Sequence, residues 1–358
     1  MDLTMDGRKV LPRPGQSLLE LVKQLGLDGG TLTERPLAAK IAGEVFTLNY
    51  IPVRQKEAEA DRPSMRRAMA ASNGEIRLLR YADPAGKECY IRTAQFAIFL
   101  AIRQLWPEAA AKMTCTLGSS VYIRVEGAAD FSAAILKARV SELVGQDIPL
   151  IRRRVKLQKA IDRFREEGQT DKARLLSWRT VDYFDEYAYG DFADYYYGEM
   201  MPSTGYLTVW DILPADGGFV FVYPDDGDPE VCAKVPPMPN FFSVFNEGER
   251  WGELMECQTV ADLNDLTNSG RIRELIRVNE ALHEKRFSQV ADQVCRRGAK
   301  AVLLAGPSSS GKTTSANRLA IQLRVHGKKP ILMSLDDYYI DRDKIAPGPD
   351  GKLDLEHI

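Results

Sequence analysis

The chain has 358 residues, of which 44% are hydrophobic and 27% charged, with a formal net charge of −2. This length suggests two or three domains, and this composition belongs to a globular chain rather than a disordered or fibrous one. The near-neutral balance gives no global pull toward nucleic acid or an anionic membrane. The longest apolar run, Ala94 to Ile102, is broken by Gln95 and is too short to span a bilayer.

The five cysteines (Cys89, Cys115, Cys232, Cys257, Cys295) form no C-x-x-C pair, which fits reduced thiols in the cytoplasm. The opening Met1-Asp-Leu-Thr-Met-Asp-Gly-Arg8 has no apolar signal core. A cytoplasmic protein is therefore expected.

Residues 1–55 read as a small mixed α/β module. Asp6-Gly7 is a tight-turn signal between short strands. Leu18, Leu19, Leu21, Val22 and Leu25 mark an amphipathic helix, with Ser17 as its N-cap and Gly26 as its stop. Ala38 to Leu48 reads as two short strands about a turn at Gly43. Gln55 to Pro63 is polar and reads as a linker. Thr93 to Trp106 is a helix ended by Pro107. Val121 to Val125 alternates as a strand, and Phe131–Val144 and Val155–Glu167 read as helices.

Arg152-Arg153-Arg154 and Lys156 could touch RNA. Asp162, Glu166 and Glu167 follow on the next turns, so a solvated helix face is expected instead. Val181 to Met201 is crowded with aromatic and acidic residues. Its carboxylates would repel phosphate, so it reads as core with hydroxyls at the rim rather than a base-stacking surface. Phe219–Tyr223 is a strand, Pro224–Pro239 is loop, and Thr267–Arg297 is an amphipathic helix. His283 lies on that helix without a metal partner nearby.

Gly306-Pro307-Ser308-Ser309-Ser310-Gly311-Lys312-Thr313-Thr314 fits G-x-x-x-x-G-K-[ST]. The apolar run Ala301–Ala305 before it predicts a buried strand. Ala316, Leu319, Ala320 and Leu323 after it predict a helix closed by Gly327. Backbone N–H groups of such a loop converge on phosphate oxygens at a helix N-terminus. Lys312 would reach the β- and γ-phosphates of ATP, and the Thr313 hydroxyl would sit on Mg²⁺. A second buried strand, Pro330–Leu335, leads to Asp336-Asp337, at the end where ligands of open α/β sheets bind. Asp336 there could serve Mg²⁺ or a substrate hydroxyl.

Three resemblances follow from these residues. The opening hairpin, Pro14-Gly15-Gln16-Ser17 and Ala38-Ala-Lys-Ile-Ala-Gly-Glu-Val45 resemble the TGS domain, a β-grasp binding module. Leu105-Trp106-Pro107 and Pro202-Ser203-Thr204-Gly205 resemble segment endings in the second additional domain of threonyl-tRNA synthetases. That family carries H-x-x-x-H and C-x-x-x-H there, and the matching positions here are Arg92, Phe96, Tyr196 and Met200. The resemblance therefore implies the shell of that domain without its zinc.

The serine-rich loop with Ser334-Leu335-Asp336-Asp337-Tyr338-Tyr339 resembles the uridine kinase/phosphoribulokinase family. It implies an ATP-dependent nucleoside kinase for uridine or cytidine, with Lys312 and Asp336 catalytic. The expected architecture is multidomain, α+β and α/β. It comprises a β-grasp module (1–55), a synthetase-like α+β region (56–265), a linking helix (266–298) and the start of a P-loop kinase domain (299–358). The rest of that domain, with its acceptor pocket, is expected beyond Ile358, leaving this stretch inactive alone. A P-loop kinase of another small hydroxyl substrate and a translation-linked RNA-binding protein with a regulatory P-loop are the alternatives. Overall charge gives RNA no support.

Overall fold

The computed structural model describes residues 3–52, 75–236, 239–340, 344–348 and 353. The linker expected at 55–63 lies outside them. The chain divides into two compact units, Met1–Trp251 and Gly252–Ile358.

The first unit opens with a five-stranded mixed sheet of order β2-β1-β5-β3-β4. Its strands are β1 (Leu3–Met5), β2 (Arg8–Val10), β3 (Ala38–Ile41), β4 (Glu44–Thr47) and β5 (Glu75–Leu79). Asp6 and Gly7 both take positive φ, 44° and 79°, as a two-residue turn between antiparallel strands requires. Helix α1 (Leu18–Gln24) starts where expected. The Ser17 hydroxyl accepts from Glu20 N, and Glu20 returns the bond to Ser17 N at 2.7 Å. Its buried Leu18, Leu21 and Val22 pack on Leu3, Met5, Phe46 and Ile76. The central strand β5 comes from beyond residue 55, because it pairs in parallel with β1 and antiparallel with β3.

A four-stranded antiparallel sheet of order β11-β12-β7-β6 follows. It uses β6 (Ala110–Thr116), β7 (Ser120–Glu126), β11 (Asp211–Ala215) and β12 (Gly218–Val222). Every residue of β12 is buried, which explains the unbroken Gly-Phe-Val-Phe-Val. Helices α2 (Pro84–Leu105) and α3 (Ala133–Gly145) share its core, with Phe96, Ile98 and Leu100 meeting Ile123, Leu136, Phe219 and Phe221. Helix α2 begins nine residues before Thr93, at a proline in its first turn.

A smaller sheet, order β10-β9-β8, contains β8 (Arg152–Lys156), β9 (Tyr183–Tyr189) and β10 (Phe192–Asp194). Helices α4 (Leu157–Glu166) and α5 (Thr170–Ser177) cover it through Phe164, Leu176 and Phe184. The arginine cluster is thus not a helix face. It is a strand opposite an acidic one, with Arg153 on Glu186 and Arg154 on Asp185 at 2.7 and 2.8 Å. The carboxylates thirty residues downstream, not those of the next turns, neutralise it.

Helix α6 (Pro239–Leu254) runs across the division between the units. The second unit contains α7 (Val260–Asn268), α8 (Ile272–Arg297), α9 (Lys312–Val325) and a short 3₁₀ turn, Leu335–Tyr338. The helix expected over 267–297 is α8, which begins at Ile272; Thr267 and Asn268 instead end α7, and Gly270 between the two has φ 76°. The expected strands Ala301–Ala305 and Pro330–Leu335 carry no ladder hydrogen bonds among the described residues, and Leu303 is 95% exposed. A buried parallel strand needs neighbours on both sides, and none is described here. The α/β sheet of a kinase domain is therefore not observed.

Candidate functional site

Two places carry the chemistry that the residues suggest. The first is the point where α2 meets residues 196–201. Arg92 and Phe96 lie one helical turn apart on α2 and face the same way. Arg92 Nη1 donates to the Glu199 carbonyl at 2.8 Å, and Nη2 reaches Glu88 at 2.5 Å. Gly198 makes this approach possible. Its φ is 132°, and a Cβ there would stand 2.6 Å from the guanidinium carbon. Phe96 packs against the rings of Phe192 and Tyr196 at 5.4 and 6.1 Å. Met200 is fully buried.

The structure thus brings all four resembled metal positions to one locus and fills it with other chemistry. The Tyr187 hydroxyl donates to the Glu199 carboxylate at 3.2 Å and accepts from Met200 N at 3.2 Å. Thr93 Oγ1 accepts from Met201 N at 3.0 Å. Arg152 Nη1 stands 2.6 Å from Glu199 Oε1, an ion pair too bent to be a hydrogen bond. Both groups of that pair are nearly sealed from solvent. The Tyr196 hydroxyl is buried without a hydrogen-bond partner among the described residues. Burial holds the phenols of Tyr187 and Tyr196 well above their ordinary range, so both stay protonated.

These residues do not fit the zinc that the resemblance attaches to such a domain. A guanidinium, a phenyl ring, a phenol and a thioether stand at its ligand positions, whereas zinc takes thiolate, imidazole or carboxylate. Cys89 is the nearby thiol, and burial pushes it up to about 12, with Arg92 opposing that shift. Residues 1–282 contain no histidine. Among the described residues, no group of three or more His, Cys, Asp or Glu could share a metal ion. Elemental analysis of the full chain, dialysed without chelator, should find zinc far below stoichiometry. Retention of about one zinc per chain would show that ligands exist elsewhere.

The second place is the loop before α9. Gly311 caps the helix in the left-handed region at φ 81°, and Ser309 joins it there at 59°. A Cβ on Gly306 would meet Ser310 Oγ at 2.8 Å. Lys312 Nζ folds back and donates to the carbonyls of Gly306 and Pro307, each at 2.8 Å. Pro307, Ser308, Ser309, Ser310, Thr313 and Thr314 are exposed. The loop is closed on its own lysine, with its hydroxyls open to solvent. Asp336 and Asp337 lie exposed in the 3₁₀ turn, and no hydrogen bond or ion pair among the described residues joins them to Lys312 or Thr313.

No protein-family profile matches the chain. Pairwise comparison finds threonine–tRNA ligases. The enzyme of Clostridium kluyveri is 22% identical over 218 residues, 60% of this chain and 31% of the relative. That of Desulforamulus reducens is 23% identical over 209 residues, 57% of this chain and 30% of the relative. That of Carboxydothermus hydrogenoformans is 26% identical over 207 residues, 56% and 29%. The chain thus contains a threonine–tRNA ligase-like region and spans about three-tenths of the length of these relatives.

This finding corrects the functional expectation. The relatives are ligases, which overturns the reading as a uridine- or cytidine-specific nucleoside kinase, and with it the uridine-kinase-like phosphotransferase class. The motif misled for a physical reason. The G-x-x-x-x-G-K-[ST] pattern concerns phosphate alone, while an acceptor is specified by a pocket that the motif does not contain.

Proposed function

We propose that the protein is an RNA-directed relative of threonine–tRNA ligases, which engages tRNA with its first unit and a nucleoside triphosphate with its second. The similarity over 218 residues carries this reading. Its length exceeds the whole of Gly252–Ile358, so it must extend into the first unit. The convergence of Arg92, Phe96, Tyr196 and Met200 supports the same assignment. Positions that a synthetase-like domain would bring together are together here.

In this reading residues 1–55, completed by β5, serve as a TGS-like β-grasp module. Residues 56–265 correspond to the synthetase additional domain, used as a binding scaffold without metal chemistry. Residues 266–298 link it to the P-loop segment, 299–358. There Gly306–Thr314 binds ATP, Lys312 exchanges its two backbone carbonyls for phosphate oxygens, and Thr313 takes Mg²⁺. Asp336 supplies a carboxylate on the metal side. The setting is cytoplasmic. No described helix is long and apolar enough to cross a membrane.

The test is fluorescence anisotropy of labelled tRNA titrated with the full chain. Saturable binding that excess single-stranded homopolymer does not displace is the expected result. A flat titration overturns the proposal.

A further inference from the structure

The net charge of −2 conceals a strong asymmetry. From Gln293 to Leu335 the chain has eight Lys and Arg residues and no Asp or Glu. The fold gathers most of them at one end. Glu284 of α8 bonds Arg318 and Gln322 of α9, and Asp292 of α8 meets His326 just beyond α9. Contacts that advance together along both helices mean that α8 and α9 run parallel, so their C-termini share an end.

Both helices stop in the same way there. Gly298 and Gly327 take left-handed φ of 62° and 73°. Ala299 N then donates to Val294 O, and Lys328 N to Leu323 O. Arg296, Arg297 and Lys300 lie at the first stop, and Arg324, Lys328 and Lys329 at the second. All six are exposed, and none has an ion pair among the described residues. Asp292, one turn before the end of α8, pairs with His326.

Helix dipoles favour cations in a last turn, which accounts for Arg296, Arg297 and Arg324. Lys300, Lys328 and Lys329 lie past the helix ends, where that effect fades. Six like charges on two adjacent ends repel one another, and no described carboxylate forms an ion pair with any of them. Packed helix axes lie about 8–10 Å apart, so the patch spans more than one small anion can touch. It fits a chain of phosphates.

We infer that the shared C-terminal end of α8 and α9 is a docking surface for the sugar–phosphate backbone of RNA. The inference rests on the tRNA reading above and names a surface for it in the second unit. Such contacts are read by salt dependence, since each neutralised phosphate steepens the fall of affinity with salt by nearly one logarithmic unit.

The experiment measures tRNA binding by the full chain across a salt series, for the wild type and for K328A/K329A. The variant should bind more weakly at every salt concentration, with a slope shallower by about two, and its thermal unfolding should be unchanged. If the wild type binds tRNA and the variant has the same slope, the surface is elsewhere while the tRNA reading stands. If the wild type does not bind, that reading falls and takes this surface with it. A third arm uses phosphatidylserine vesicles. Loss of vesicle binding in the variant with tRNA binding intact would assign the patch to lipid and overturn the RNA assignment.

Discussion

Replacing Glu199 by alanine should destabilise the first unit by about 3–5 kcal/mol, the cost of leaving a buried ion without its partner. Glu199 and Arg152 pair at 2.6 Å, with side chains only 4% and 11% exposed. Removing the carboxylate strands the Arg152 guanidinium and also takes the acceptor from the Tyr187 hydroxyl. A single unit of this size should then melt roughly 6–20 °C lower, at about 2–4 °C per kcal/mol. Glu199→Gln keeps an acceptor for Tyr187 and should cost less. The measurement is convenient, because all four tryptophans (Trp106, Trp178, Trp210, Trp251) lie in the first unit. Trp106, Trp178 and Trp210 lie well inside it, so tryptophan fluorescence during denaturation reports chiefly on that unit. An E199A chain that unfolds with the wild type would show that Arg92, Thr93 and the aromatic packing suffice.

The second large effect is expected at Lys312. Lys312→Ala should weaken binding of magnesium–ATP by about 1.5–3 kcal/mol, or roughly ten- to 150-fold, as for loss of a hydrogen bond to a charged group. The ammonium already stands over the loop, bonded to Gly306 and Pro307 carbonyls, so it must trade those bonds for phosphate. Calorimetric titration with magnesium–ATP gives the comparison. Equal affinity in the variant would mean that the loop is not a triphosphate site. The tRNA affinity of the same variant should be preserved, since Lys312 lies at the opposite end of α9 from the basic patch.

Local signals in the sequence were reliable where the structure they specify is local. Ser17 marked the start of α1, and Gly7 and Gly43 marked two turns. The helix that starts at Lys312 behind Gly311 was legible for the same reason. Strand β8 was not, because its identity depends on β9, thirty residues away, and its arginines read equally well as a helix face. The early start of α2 was hidden by Gly86. That glycine looks like a helix breaker, yet it lets the helix pass the Arg80 carbonyl, where a Cβ would stand 2.0 Å away.

The apolar runs at 301–305 and 330–335 have strand composition, but strands exist only in ladders. For the candidate sites, the convergence of Arg92, Phe96, Tyr196 and Met200 was legible through resemblance. The hydrogen bonds from Tyr187 and Thr93 that lock the locus were not. The basic patch was missed because net charge averages two oppositely charged parts of the chain. Only the parallel course of α8 and α9 brings its six cations to one end.

The central claim is that this protein works on tRNA. The most direct measurement is sequencing of RNA crosslinked by ultraviolet light to the full chain in living cells. The account predicts enrichment of tRNA, with threonine-accepting species foremost, and loss of much of that signal in K328A/K329A. Recovery of no tRNA above an uncrosslinked control would contradict it.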